Sequence, residues 1–171
     1  MKTLLLLRHA KSSWDDPSLK DYDRPLSHRG ESAAPVMGTY MRNEDLIPDV
    51  VLCSPALRAR QTWESVETVL DMDIPIQFLD ELYHATATMI QRTIQRISPD
   101  VETVLLVGHN PGFADVARWL VSEGDPEEME RMRFKYPTAG LAVVDFDVAR
   151  WDDVDEGTGN LRLFIRPKDL R

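Results

Sequence analysis

Short, wholly apolar runs alternate along the chain with longer stretches whose apolar residues recur at helical spacing. Residues 3–7 (TLLLL) and 103–107 (TVLLV) have the pattern of strands covered on both faces, and residues 50–53 (VVLC) form a third, shorter run. Between them the spacing predicts helices. Residues 27–43 open on a capping-type Ser27 with Glu31 in the first turn, and Pro35 is expected to kink or delay that helix. Residues 56–70 place Leu57, Thr62 or Trp63, Val66, Val69 and Leu70 on one face. Helices over 88–97 and 111–121 follow, the second with Pro111 at its first helical position. Residues 141–148 (LAVVDFDV) and 161–166 (LRLFIR) flank an acidic, Gly-containing connection and read as an antiparallel hairpin at a sheet edge. The order predicts an α/β fold: a three-layer αβα sandwich with a mostly parallel central sheet and an antiparallel C-terminal edge hairpin.

At 171 residues the chain is expected to form a single domain, 1–171. With 20 Lys and Arg against 29 Asp and Glu, the formal charge is −9. That balance argues against nucleic acid and against an anionic membrane surface as partners, and it should repel free polyanionic metabolites at a distance. The single cysteine, Cys53, allows no intrachain disulfide and suggests a reducing compartment. Residues 4–7 are too short a core for a secretory signal and end in Arg8. A cytoplasmic location is therefore expected; the oligomeric state is not legible.

In folds of this class ligands sit beyond the carboxyl ends of the strands. There the first strand continues into Arg8 and His9, and the strand at 103–107 into Gly108, His109, Asn110, Pro111 and Gly112. If these strands are neighbours, about 4.8 Å apart, both imidazoles converge on one small site. The third strand runs into Ser54, Pro55, Ala56, Leu57 and Arg58, placing a second guanidinium on the first turn of the next helix. Two imidazoles and two guanidiniums suit a phosphoryl group: arginines fork onto its oxygens, and histidine supplies a nitrogen nucleophile at neutral pH. Neutral His9 would attack phosphorus, Arg8 and Arg58 would neutralise the equatorial oxygens, and His109 would donate to the same group. Glu81, in FLDELYHA, is the carboxylic acid expected to serve the leaving group and then water. The chemistry requires no cofactor and no metal. His28 and His84 fall outside the strand-end pattern and read as surface residues or as supports behind the reacting groups, not as catalytic ones.

Rival phosphate chemistries fit less well. Cys53 lies one residue too close to Arg58, and one too far from Arg60, for a thiolate phosphatase loop. The segment from Asp145 to Ala149 lacks the fifth residue of an aspartate nucleophile motif, and no P-loop or zinc spacing occurs.

The segments LLLLRHAKSSW, YDRPLSHRG, VVLCSPALRARQT, LDELYHA and VLLVGHNPG occur in the order seen in the histidine phosphatase superfamily, the phosphoglycerate mutase-like proteins. From residue 1 to 146 the chain resembles most the short SixA-type phosphohistidine phosphatases. The resemblance implies that His9 is the phosphorylated nucleophile, that Arg8, Arg58 and His109 complete the phosphate pocket, and that Arg24 lies at its rim. Ala10 stands where most of the superfamily has Gly, as in the SixA-type branch, where a phosphoramidate leaving group needs less help from an acid. The expected partner is a phosphorylated protein or a small phosphorylated molecule. Little chain remains for a lid, so an open, shallow site is expected, suited to a phosphate displayed on a larger molecule. A mutase-like phosphotransferase and a non-catalytic phospho-ligand binding domain stay open as alternatives.

Overall fold

Leu4 and Leu6 point to one side of the first strand and Leu5 and Leu7 to the other, and all four are fully buried. A strand with two apolar faces needs a layer on each, and the computed structural model, which describes residues 1–171, supplies both. In chain order the elements are β1 (Lys2–Arg8), α1 (His28–Asn43), β2 (Val50–Cys53), α2 (Leu57–Leu70), β3 (Ile76–Phe78), α3 (Ala87–Gln95), β4 (Thr103–Gly108), α4 (Gly112–Leu120), β5 (Val121–Gly124), α5 (Pro126–Phe134), β6 (Leu141–Phe146) and β7 (Gly159–Ile165). The seven strands form one sheet in the order β3-β2-β4-β1-β6-β7-β5. From β3 to β1 all neighbours are parallel, whereas β6 runs antiparallel to both β1 and β7.

One face is covered by α1 and α2, whose Met37, Met41, Trp63 and Val66 pack on Leu5, Leu7, Val51 and Val107. The other is covered by α3, α4 and α5 through Ile90, Ile94, Phe113, Val116 and Met132. The three-layer α/β sandwich and the antiparallel β6-β7 pair agree with the sequence pattern. The hairpin does not end the sheet, however, because β5 pairs parallel to β7 on its outer side. Nothing local announces β5. Helix α4 passes straight into it at Val121 with no Gly or Pro between.

Ser27 caps α1, its hydroxyl accepting from the Gly30 amide at 3.2 Å. Pro35 does not delay the helix, which starts at His28 and carries the proline within it. The bond it forgoes is to the carbonyl of Glu31, an exposed residue, where the loss is cheapest. Pro111 is the N-cap of α4 rather than its first helical residue. The start of α1 is pressed against the segment leaving β1: a Cβ on Gly30 would stand 2.1 Å from the Lys11 carbonyl oxygen. Only glycine permits that approach, and it fixes the chain just beyond His9. No helix is long and apolar enough to cross a membrane.

Candidate active site

Strands β1 and β4 pair with Arg8 opposite Gly108, so His9 and His109 leave the sheet side by side. The His9 amide donates to the Gly108 carbonyl at 2.9 Å. The two imidazole centroids are 5.0 Å apart and tilted by 54°. On the far side of β4, the Ser54 amide donates to the Val107 carbonyl at 2.9 Å, and α2 begins three residues later with Arg58 in its first turn. One turn on, the Thr62 hydroxyl accepts from the Ala10 amide at 3.0 Å and donates to the Arg58 carbonyl at 2.7 Å. Thr62 thereby ties the exit of β1 to the helix bearing Arg58.

Hydrogen bonding assigns the tautomers. His9 Nδ1 lies 2.7 Å from the Ala10 carbonyl, which can only accept, so the proton is on Nδ1 and the lone pair on Nε2. Burial pushes the His9 pKa down to about 3, opposed by the Ala10 bond and assisted by the fields of Arg58, Arg8 and Arg24. The imidazole is therefore neutral and nucleophilic at Nε2. His109 Nε2 is 2.7 Å from the Ser54 hydroxyl, whose oxygen accepts from the Ala56 amide at 3.3 Å. The buried Ser54 hydroxyl has no other acceptor for its proton, so it donates to Nε2, which puts the His109 proton on Nδ1. Burial also lowers the His109 pKa to about 3, with His9 and Arg58 adding to the effect.

Three buried side-chain polar atoms lack a partner anywhere in the protein: Arg8 Nε, Arg58 Nε and His109 Nδ1. Each is an N–H donor, and together they come from the ends of β1, β2 and β4. An orphaned buried donor costs about 1–3 kcal/mol, so three of them at neighbouring strand ends point to an acceptor that the protein itself does not supply. An oxyanion with several oxygens satisfies all three. No group of three or more His, Cys, Asp or Glu side chains lies close enough to share a metal ion.

The second ring of the site was not foreseen. A 3-10 turn at Asp21–Asp23 brings in Asp21. Arg58 donates to the Asp21 carbonyl at 2.7 Å and to its carboxylate at 3.0 Å, Arg24 to the same carboxylate at 3.2 Å, and the Tyr83 hydroxyl at 2.6 Å. Partial burial works against ionisation, but the bonds from Tyr83, Arg58 and Arg24 hold the carboxyl well below the usual range. Tyr83 is pushed up to about 12, by burial and then by Asp21. Tyr136, fully enclosed, holds the base of the site: its carbonyl accepts from Arg8 at 2.9 Å and its hydroxyl donates to the Leu6 carbonyl.

The structure brings together Arg8, His9, Arg24, Arg58 and His109. Arg24 is deeper than a rim residue: it is 7% exposed, donates to Ser12 at 2.9 Å and lies 3.4 Å from the centroid of the Trp14 ring. His9, Arg58 and His109 are 6%, 5% and 7% exposed, with the exposed Trp14, Tyr22 and His84 around them. Glu81 makes no hydrogen bond or ion pair with them. It is half-buried on a 3-10 turn at Asp80–Leu82, and that turn reaches the site through its neighbours. The Tyr83 ring meets the His109 ring edge-on at 5.5 Å, and His84 Nε2 is 4.0 Å from the Asp21 carboxylate. The Asp21 carboxylate is tied to the site through Arg58, Arg24 and Tyr83. His28 is exposed and far from this chemistry.

Residues 4–86 match the family model of the histidine phosphatase superfamily, branch 1. An uncharacterized protein of Mycobacterium tuberculosis is 37% identical over 164 residues, covering 95% of this chain and 100% of its own. The phosphohistidine phosphatase SixA of Escherichia coli is 26% identical over 170 residues, covering 98% and 96% respectively. Among crystal structures, a provisionally assigned phosphohistidine phosphatase SixA from Agrobacterium tumefaciens superposes with a TM-score of 0.83 at 29% identity, over 97% of this chain and 98% of the other. With the paired imidazoles at adjacent strand ends and the likeness running over nearly the whole length, this chain belongs to the histidine phosphatase superfamily.

Proposed function

We propose that the protein is a phosphatase that works through a covalent phosphohistidine on His9, and that its substrate is a phosphoramidate, phosphohistidine displayed on another molecule. The observation that carries the reading is the set of orphaned donors, Arg8 Nε, Arg58 Nε and His109 Nδ1, beside a neutral imidazole whose Nε2 is free to attack. Phosphoryl oxygens accept from these donors, and the guanidiniums spread the developing charge without reorganising.

In the first step the His9 Nε2 lone pair forms a bond to phosphorus while the P–N bond to the leaving imidazole breaks. The substrate imidazole, protonated on its other ring nitrogen, takes the bonding electrons and departs neutral. In the second, water attacks the phosphorus of phospho-His9, the P–Nε2 bond returns its electrons to His9, and the water proton is released to solvent. His9 ends as it began. The charge state of Asp21 supports the finer assignment. Held ionised by three donors, it has no proton to give a leaving group at neutral pH. An alkoxide leaving group needs a proton, whereas an imidazole, whose conjugate acid titrates near pH 6.5, leaves with far less help.

The test is an acid- and base-quench of a single turnover with a phosphohistidine peptide carrying labelled phosphate. Label stable to base, labile to acid and present on wild type but absent from His9→Ala is the expected result. If His9→Ala retains most of the hydrolytic rate, another group is the nucleophile.

A further inference from the structure

A groove of about 1520 Å³ runs between α1 and α5, lined also by the segment 135–138 and by the C-terminal residues, and it shares Arg8 with the imidazole site. Small-molecule sites typically span about 300–1,000 Å³, so this one is larger than a metabolite needs. Nine of the 20 Lys and Arg side chains line it, against two carboxylates, Glu127 and Glu130. All but two of the 29 Asp and Glu residues therefore lie elsewhere. Five of the cations, Lys11, Arg29, Arg133, Lys135 and Lys168, are exposed and make no ion pair within the chain. Phe134 stands among them 87% exposed, with Val36 across the groove.

Resting on the phosphatase reading above, we propose that this groove docks an acidic protein surface that carries the phosphoryl group. A partner seated there lies against Arg8, whose Nη1 is anchored on the Tyr136 carbonyl and whose field reaches His9. The groove therefore adjoins the imidazole site through Arg8. Two features favour protein over nucleic acid. Phe134 and Val36 interrupt the cations with apolar surface, the mixture of aromatic and Arg residues that protein interfaces favour. Glu127 and Glu130 would meet a continuous phosphate backbone with like charge. Arg131 and Arg166 are held by Asp169, which gives the groove two anchored cations beside the unpaired ones. The acidic remainder of the surface repels an acidic partner everywhere else, and so steers it.

The test uses the whole chain and two labelled peptides bearing one histidine, one rich in Glu and its counterpart with Gln. Fluorescence anisotropy reads binding, and hydrolysis is followed on the phosphorylated forms and on free phosphoramidate. Wild type is expected to bind the Glu peptide about tenfold more tightly, and to lose most of that preference between about 50 and about 300 mM salt. Combining Arg29→Glu, Lys135→Glu and Lys168→Glu removes the preference, and the matching Gln triple weakens it. Both triples hydrolyse free phosphoramidate within about twofold of wild type, since none of the three residues lies in the imidazole site. Equal binding of the two peptides by wild type, an unchanged preference in both triples, or tighter binding of a single-stranded oligonucleotide of equal charge overturns the proposal. Hydrolysis of none of the three substrates would instead overturn the reading of the site, and anisotropy would still decide the groove.

Discussion

The two imidazoles and the residues that face them from outside the sheet are built in different ways. His9 and His109 leave neighbouring parallel strands in register, each fixed by its own hydrogen bond, at Nδ1 of one and Nε2 of the other. Asp21, Glu81 and Tyr83 come in on short 3-10 turns or beside them, among exposed residues. Strand ends inherit the precision of a packed sheet, and that suits groups whose tautomer and separation decide a reaction. Turn residues are held mainly by side-chain bonds to one another, through Asp21. The nucleophile and its oxyanion donors thus belong to the rigid part, and the carboxylate that trims charge around them to the adjustable part.

Substitutions on the two sides should separate widely. Arg58→Ala removes an orphaned donor and a charge from the strand-end set, and kcat is expected to fall on the order of 100-fold or more, with Arg58→Lys restoring little because it lacks the Nε donor. A loss of only twofold would place Arg58 outside the pocket. On the turn side, Asp21→Asn releases Arg58 and Arg24 from a competing carboxylate, so inhibition by inorganic phosphate should tighten a few-fold while hydrolysis slows by about tenfold. Glu81→Gln should change kcat by less than about threefold, because its carboxylate bonds to none of the reacting groups. An effect of Glu81→Gln larger than that of Asp21→Asn would reverse the assignment of the two carboxylates.

The same contrast appears in stability. His9 and His109 have pKa values near 3 in the fold against an ordinary 6.5, so the unfolded chain binds more protons throughout that interval. Their contribution is complete above about pH 6.5 and is lost as the pH falls toward about 3. The urea midpoint should therefore drop more steeply with acidity in wild type than in His9→Gln, which has one such group fewer. Parallel lines for the two proteins would show that His9 is not held neutral by its surroundings.

The strand-end half of the site was legible because two signals coincide there. An unbroken apolar run marks a buried parallel strand, and the residue following it is where such folds bind ligands. The turn-borne half carried no comparable signal. Asp21 stands among Lys20, Asp23 and Arg24, and nothing in that mixture of charges distinguishes a carboxylate that bridges two buried arginines from a solvated one. Glu81 stood out in FLDELYHA by its position, yet the 3-10 turn presents Tyr83 and His84 to the site. Net charge misled in a different way. An average of −9 predicts repulsion of anions, but cations scattered at positions 11, 29, 131–135 and 166–171 are gathered by the fold into one basic groove. Segregation of that kind is a property of tertiary structure and invisible to composition.

The central claim is that Arg8 Nε, Arg58 Nε and His109 Nδ1 donate to an oxyanion bound next to a neutral His9. Proton–nitrogen NMR of these groups during titration with inorganic phosphate tests it most directly. Saturation should move all three N–H resonances together, with the His9 Nδ1–H still bonded to the Ala10 carbonyl. Resonances that stay where they were at saturating phosphate would contradict the account.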